Sequence, residues 1–152
     1  MDLVGRKLFR NQGAYVERFA ALVREDIGTQ PVDTLKPFHQ ACERELARLE
    51  SVTGWLLGQA AGRPEELGAA AADYLHLFGC VAYAWMWWKA ARAAQTGLAG
   101  NGESGRPFYQ AKLTVGRHFL TRLLPRTEAL ERQIMAGAEE LMSLPEEAFY
   151  PE

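Results

Sequence analysis

Residues 64–95 read PEELGAAAADYLHLFGCVAYAWMWWKAARAAQ, and the run from Leu77 to Trp88 within them carries no charge. Bulky side chains recur there at spacings of three and four, which places them on one stripe of a helix: Tyr74, Phe78, Val81, Trp85 and Trp88. Leu77, Ala84 and Trp87 fall on other faces, so the helix is apolar almost all round. A membrane span needs about 20 apolar residues, and Asp73 and Lys89 bracket this run too closely. We therefore predict a central, buried helix.

The length and charge of the chain restrict the class of protein. At 152 residues and 17.0 kDa the chain is expected to form one domain, with a core large enough to be stable without disulfide bonds or structural metal ions. The net charge of −2 and a pI of about 6.0 give no sign of a nucleic-acid partner or of an anionic membrane surface. Residues 1–10, MDLVGRKLFR, lack the apolar core of a secretory signal, so we expect a cytoplasmic protein.

The remaining pattern is helical throughout. Residues 1–10 predict a short amphipathic preface, and Ala14 to Ile27 a first helix ending at Gly28. A second helix is expected from an Asp33 or Thr34 cap, through Pro37 in its first turn, to about Ala61. The third is the central helix, closed by Gly97, and a flexible loop is expected over 97–106.

A fourth helix is predicted after this loop, kinked at Pro125 because proline removes one helical N–H. Ser143 and Glu146 have capping-box spacing for a last short turn. No stretch alternates with period two, so the predicted fold class is all-α, an antiparallel four-helix bundle with a Pro-kinked last helix. The residues expected on the inner faces of the helices are Val16, Phe19, Ala20, Val23, Phe38, Leu46, Leu49, Val52, Trp55, Leu56, Phe108, Leu113, Val115, Phe119, Leu123, Leu130, Ile134, Leu141 and Met142.

Candidate chemistry is sparse, and we predict no catalytic, cofactor-binding or metal-binding residue in this chain. His39, His76 and His118 lie on three different helices, and Asp73-x-x-His76 is a single copy of a motif that a di-iron bundle needs twice. Cys42 and Cys80 lie in different helices with apolar neighbours, which predicts reduced core thiols. GNGESG lacks the context of a phosphate loop.

Two surface features leave alternatives open. The predicted fourth helix is basic, with Glu103, Glu128 and Glu131 interspersed, so a solvated face is favoured over an anionic partner; its cations are Lys112, Arg117, Arg122, Arg126 and Arg132. The aromatic stripe of Tyr83, Trp85, Trp87 and Trp88 could line a pocket for an apolar ligand, although helical aromatics more often form core or interface.

Several motifs resemble the C-terminal extension domain of bacterial acyl-CoA dehydrogenases. The aromatic-rich segment Phe78 to Gln95 is followed by Phe-Tyr-x-x-Lys-Leu at 108–113. Leu-Pro-Arg-Thr then stands at Leu124 to Thr127, and Ala-Gly-x-x-x-Leu-Met begins at Ala136. The resemblance covers residues 35–149.

The N-terminus resembles the sequence that follows the catalytic domain of the same family, with matches at Leu3, Gly5, Arg6 and Lys7. The family's catalytic Glu motif would lie before Met1, and its flavin-binding domain further upstream. The resemblance therefore implies two parts: residues 1–12 as a remnant of the catalytic domain, and residues 13–152 as the C-terminal helical bundle.

We accordingly expect an accessory or assembly domain of an FAD-dependent acyl-CoA dehydrogenase-like enzyme. This chain alone would be inert, with FAD bound by the parent enzyme. Its expected partners are the catalytic domain and a second subunit, with a homodimer as one form. The alternative is an independent helical module that binds an acyl chain or a partner helix. A metal-bundle enzyme is a weaker third hypothesis.

The preface, without its catalytic-domain partner, is expected to fray or self-associate, with the core starting at Val16.

Overall fold

The computed structural model describes residues 2–28, 31–100 and 105–150, and its longest element is α3 (Glu65–Gly100, 36 residues). Four other α-helices surround it: α1 (Ala14–Ile27), α2 (Lys36–Ala60), α4 (Arg106–His118) and α5 (Arg126–Met135). The most extensive contacts of α3 are with α2, α4 and α5. The described residues contain no strand, so the all-α prediction is confirmed.

The central helix buries the residues that its sequence pattern selects. Tyr74, Val81 and Trp88 are buried, and Leu77 and Ala84 are buried on the faces between them. Phe78 and Trp85 are half-buried and pack against the same core. Trp85 is therefore less central than its place in the stripe predicts, because its indole Nε1–H reaches outward to Asp26 Oδ2 at 2.8 Å.

The N-terminal preface is part of the core. Asp2–Phe9 form an N-terminal π-helix that packs on α3 and α1. Val4 is 0% and Leu8 2% exposed, and both belong to the main core cluster. The expectation that the preface lacks an apolar partner within the chain is wrong. Gly13, at φ +82°, turns the chain from this π-helix into α1, and Leu57 of α2 packs closely against it.

Two close approaches fix α4 against its neighbours. A Cβ at Gly97 would lie 2.6 Å from Tyr109 Cε1, and a Cβ at Gly116 would lie 2.6 Å from Phe38 Cε1. Gly97 therefore serves as a site for helix contact inside α3, which continues to Gly100, and it does not close the helix as predicted. Residues 101–104 of the predicted loop, including Glu103, lie outside the described residues.

The last helical region is divided at Pro125. A π-helical turn, Phe119–Leu123, follows α4, and α5 begins at Arg126, so the predicted fourth helix is divided into separate elements at the proline where a kink was expected. α5 ends where Gly137 takes φ +80°, a left-handed C′ position that favours glycine. Because α5 ends early, Leu141 and Met142 lie beyond it, and both side chains are exposed. The prediction that these two residues face the core is wrong. Phe108, Val115 and Leu123 are also exposed against prediction, whereas Leu113, Leu130 and Ile134 are buried.

Helix α1 and the start of α2 follow the prediction closely. Val16, Ala20 and Val23 are buried on α1, and Phe38 to Leu56 supply the buried face of α2, with Trp55 half-buried. A 3₁₀ turn, Asp33–Leu35, leads into α2, but no side-chain capping bond forms there. The predicted Ser143 cap is also absent from the final 3₁₀ turn, Glu146–Phe149; Ser143 Oγ donates to the Glu140 carbonyl instead.

Within the described ranges, α3 alone is long and apolar enough to cross a membrane by length and composition. The central helix of a soluble domain meets the same criterion. Its contacts with α2, α4, α5 and the N-terminal π-helix are those expected of a central helix.

Candidate interaction surfaces

The three histidines do not come together. His39 Nε2 donates to the Ile27 carbonyl oxygen at 2.8 Å, and its Nδ1 lies 3.1 Å from Glu43 Oε2. His76 and His118 are exposed on α3 and α4. Among the residues described, no three His, Cys, Asp or Glu side chains form a group that could hold a metal ion. His39 therefore ties α1 to α2.

Both cysteines are free thiols; Cys42 is buried, as predicted for a core thiol, whereas Cys80 is only partly buried. Burial raises the pKa of Cys42 to about 12, with smaller contributions from the nearby carboxylates of Asp26 and Glu43. Burial also raises the pKa of Cys80, against a smaller opposing effect of Arg126. A thiol needs a lowered pKa to act as a nucleophile at neutral pH, so neither environment suits catalysis.

Two buried carboxylates are also structural. Glu45 is 1% exposed and accepts hydrogen bonds from Arg44 Nε at 2.9 Å and Arg48 Nε at 3.0 Å. Arg48 also pairs with Glu131, which links α2 to α5. Glu66 Oε1 forms an ion pair with Arg63 Nη2 at 3.1 Å, while its Oε2 has no hydrogen-bond partner among the described residues and lies against Gly137.

A cleft of about 290 Å³ opens between α3 and the π-helical turn, and we call it the α3–π cleft. Exposed apolar side chains supply much of its wall: Leu75 is 56%, Tyr83 63% and Leu123 51% exposed. Phe119 lies between them, with its ring centroid 6.3 Å from that of Tyr83. The complete lining is Leu75, His76, Gly79, Cys80, Tyr83, Phe119, Leu123 and Arg126. Of the four aromatic residues that the sequence suggested as a pocket lining, only Tyr83 lines this cleft, and Trp88 is buried.

The stretch 106–126, which borders the cleft, is strongly basic. It contains no Asp or Glu, and its basic residues are Arg106, Lys112, Arg117, Arg122 and Arg126. Lys112 lies over the Phe108 ring at 5.4 Å, and the structure gives the four arginines no ion pair among the described residues. Of the acidic residues that the sequence suggested would neutralise this face, Glu131 pairs with Arg48 of α2, and Glu128 lies 3.9 Å from Arg48 and 4.0 Å from Arg132. The absence of acidic residues from 106–126 was visible in the sequence.

A second apolar surface surrounds the N-terminal π-helix, and we call it the N-terminal surface. On one side, Leu3, Leu8, Tyr15, Tyr74 and Phe78 contribute to a cleft of about 100 Å³. On the other, a cleft of about 520 Å³ is lined by Phe9, Arg10, Gln12, Leu57 and Ala61. Tyr15 is 59% exposed, and Leu22, two helical turns along α1, is 50% exposed.

The segment that follows Ala138 carries a third set of exposed apolar side chains. We call residues 139–150, EELMSLPEEAFY, the acidic segment. All of these residues are exposed, and its five large apolar side chains are 60–71% exposed: Leu141, Met142, Leu144, Phe149 and Tyr150. It carries Glu139, Glu140, Glu146 and Glu147 and no basic residue.

These features define an all-α domain with exposed apolar and charged surfaces. The chain belongs to the family described as acetyl-CoA dehydrogenase C-terminal like, whose family model matches residues 14–145. The resemblance to the C-terminal domain of acyl-CoA dehydrogenases is thereby confirmed. A comparison with curated protein sequences finds no match.

Proposed function

We propose that this chain is an accessory and assembly domain of an FAD-dependent acyl-CoA dehydrogenase-like enzyme, which dehydrogenates an acyl-CoA thioester in the cytoplasm. The family match over residues 14–145 carries the proposal. The proposal treats the domain as a four-helix bundle in which α4, the π-helical turn and α5 act as one kinked helix. The packing of α3 against both α4 and α5 supports this arrangement.

The polar groups of the domain support a role without chemistry of its own. Glu45, Arg48 and His39 are engaged between helices, and the pKa values of Cys42 and Cys80 are raised. Such groups hold the fold together and are not available to abstract a proton from a substrate. The catalytic base and the substrate site are therefore assigned to the parent enzyme's catalytic domain.

The cleft between the N-terminal π-helix and α2 does not fit FAD. The cleft of about 520 Å³ is lined by five residues, of which only Arg10 is basic. A dinucleotide pyrophosphate is usually held by a glycine-rich turn that opens a helix, and the cleft lining contains no glycine. FAD is accordingly assigned to the catalytic domain.

The N-terminal surface is the proposed contact with that catalytic domain. Residues 1–12 resemble the end of the catalytic domain, so the two domains would meet where this segment packs. Clefts on both sides of the π-helix can accept apolar side chains. The exposed Tyr15 and Leu22 can then be buried, as aromatic and aliphatic residues are at the centre of interfaces.

Titration calorimetry with a purified acyl-CoA dehydrogenase catalytic core that lacks this helical domain tests the contact. We expect binding, and we expect Tyr15→Glu with Leu22→Glu to weaken it by roughly tenfold or more, because a buried unpaired charge is costly. Leu75→Glu, in the α3–π cleft, is the matched control and should bind as the parent chain does. Equal affinities for all three chains would exclude the N-terminal surface, and no binding by any chain would refute the proposed function.

A further inference from the structure

The α3–π cleft and the acidic segment are left uncovered by the proposed contact with the catalytic domain. The N-terminal surface lies on the side of α3 that presents Tyr74 and Phe78, whereas the cleft uses Leu75, Cys80 and Tyr83. Successive residues on a helix point about 100° apart, so one partner on the N-terminal surface leaves the cleft open. A second partner would therefore be needed to cover the α3–π cleft.

The charges of the two features are complementary. From the stretch 106–126, which holds five basic residues and no acidic one, Phe119, Leu123 and Arg126 line the cleft, and Arg122 precedes Leu123. The acidic segment holds four glutamates and no basic residue within a chain whose net charge is only −2. Opposite charges attract most where apolar contact also removes water, and such matching steers association and fixes register.

The apolar surfaces are complementary as well. The cleft exposes Leu75, Tyr83 and Leu123 beside Phe119, while the acidic segment exposes two aromatic and three aliphatic side chains. Exposed apolar residues grouped in this way mark contact sites more often than scattered ones do. A short peptide with large side chains is a suitable occupant for a groove of about 290 Å³.

The same copy of the segment does not fill this cleft. None of the residues that line the cleft comes from 139–150, and every residue of the acidic segment remains exposed. An occupant of the cleft therefore comes from outside the described residues of the same copy, and a second copy of this chain supplies a segment of the required charge and polarity.

We propose that the acidic segment of one copy docks into the α3–π cleft of a second copy, and that the reciprocal contact closes a symmetric dimer. Glu146 and Glu147 would lie near Arg122 and Arg126, with Phe149 and Tyr150 against Tyr83 and Leu123. A twofold dimer makes this contact twice. Aromatic side chains bury roughly 150–250 Å² each, so two docked segments can reach the roughly 1,200–2,000 Å² of a stable interface.

Light scattering after size exclusion, over a concentration series, tests the proposal with a charge-swap design. The parent chain should reach twice the mass of its 17.0 kDa monomer. Arg122→Glu with Arg126→Glu should give a monomer, and so should Glu146→Lys with Glu147→Lys. A mixture of these two double variants should form a dimer again, because each cleft then meets a segment of opposite charge.

The controls separate this dimer from folding defects and from the contact with the catalytic domain. Arg10→Glu with Arg18→Glu changes the same number of exposed charges elsewhere and should remain dimeric. Phe149→Ser with Tyr150→Ser, at side chains outside the core, should give a helical monomer by circular dichroism. A monomeric parent chain, double variants that stay dimeric, or a mixture that stays monomeric would each overturn the proposal.

Discussion

At the residue scale, Trp88 joins three helices. Its ring is 1% exposed on α3, its Nε1–H donates to the Asp26 carbonyl of α1 at 3.4 Å, and it packs edge-on against His39 of α2. Trp88→Ala should lower the free energy of unfolding by roughly 3–5 kcal/mol, since it leaves a large cavity. Tyr83→Ala, at a 63% exposed position of the same helix, should cost under about 1 kcal/mol. Similar urea midpoints for the two variants would show that the core is wrongly placed.

Cys42 makes stability depend on alkaline pH. Its pKa is about 12 in the folded protein against 9.0 for a free thiol, because burial disfavours the thiolate. Below pH 9 both states are protonated and this contribution is complete. As the pH rises from 9 toward 12, the unfolded thiol ionises and the folded one does not, so stability falls by up to about 1.4 kcal/mol per pH unit.

The Cys42→Ala variant tests this dependence in denaturant melts between pH 7 and 11. The variant should be less stable near neutral pH, because a buried side chain is truncated, and the difference from the parent chain should shrink above pH 9. A difference that stays constant across this range would mean that the thiol does not titrate on unfolding as its burial requires. Tyr74, with its pKa raised to about 12 by burial, is unchanged in both chains.

At the scale of elements, the contact of α4 with α2 and α3 depends on the absence of a Cβ atom at Gly116. A Cβ at Gly116 would lie 2.6 Å from Phe38 Cε1 and 3.0 Å from Trp87 Cε3, whereas a Cβ at Gly58 of α2 would meet nothing within 4 Å. Gly116→Ala should therefore destabilise by roughly 1–3 kcal/mol through overpacking. Gly58→Ala should stabilise by roughly 0.5–1 kcal/mol through helix propensity. Thermal melts test this pair. If the melting temperatures of Gly116→Ala and Gly58→Ala shift in the same direction, the packing described for α4 is contradicted.

The N-terminal π-helix should contribute directly to stability. Leu8 is 2% exposed in the main core cluster, so Leu8→Ala should cost roughly 2–5 kcal/mol. Arg10→Ala, two residues later and exposed, should stay within about 0.5 kcal/mol of the parent chain. Urea melts of the two variants make the comparison. If Leu8→Ala has no effect, the segment is frayed in solution.

The elements that could be predicted from the sequence are those with a local pattern. The bounds of α1, the burial of Tyr74 and Trp88 and the interruption at Pro125 follow from spacing, glycine and proline. The burial of Val4 and Leu8 could not be predicted, because it depends on how α3 and α1 pack around a short helix. The close contact of Gly97 with Tyr109 could not be predicted either, because it joins residues of different helices. The exposure of Leu141 and Met142 follows from the end of α5 at Gly137.

For the whole molecule, the family and the lack of a recognisable catalytic motif were readable from sequence, whereas the surfaces were not. The basic character of 106–126 was visible in the sequence, but the pairing of Glu131 with Arg48 of α2 was not. The α3–π cleft combines Tyr83 and Leu123 from different helices. Such a combination requires the tertiary structure.

The central claim is that this domain has no dehydrogenase chemistry of its own and acts by docking. The most direct test is a dye-coupled acyl-CoA dehydrogenase assay, with flavin absorbance, on the chain alone after incubation with FAD and removal of the excess. A purified acyl-CoA dehydrogenase with its FAD serves as the positive control, and a protein-free sample as the blank. We predict that the chain retains no flavin and gives no dye reduction above the blank. Retained FAD with turnover by this chain alone would contradict the account.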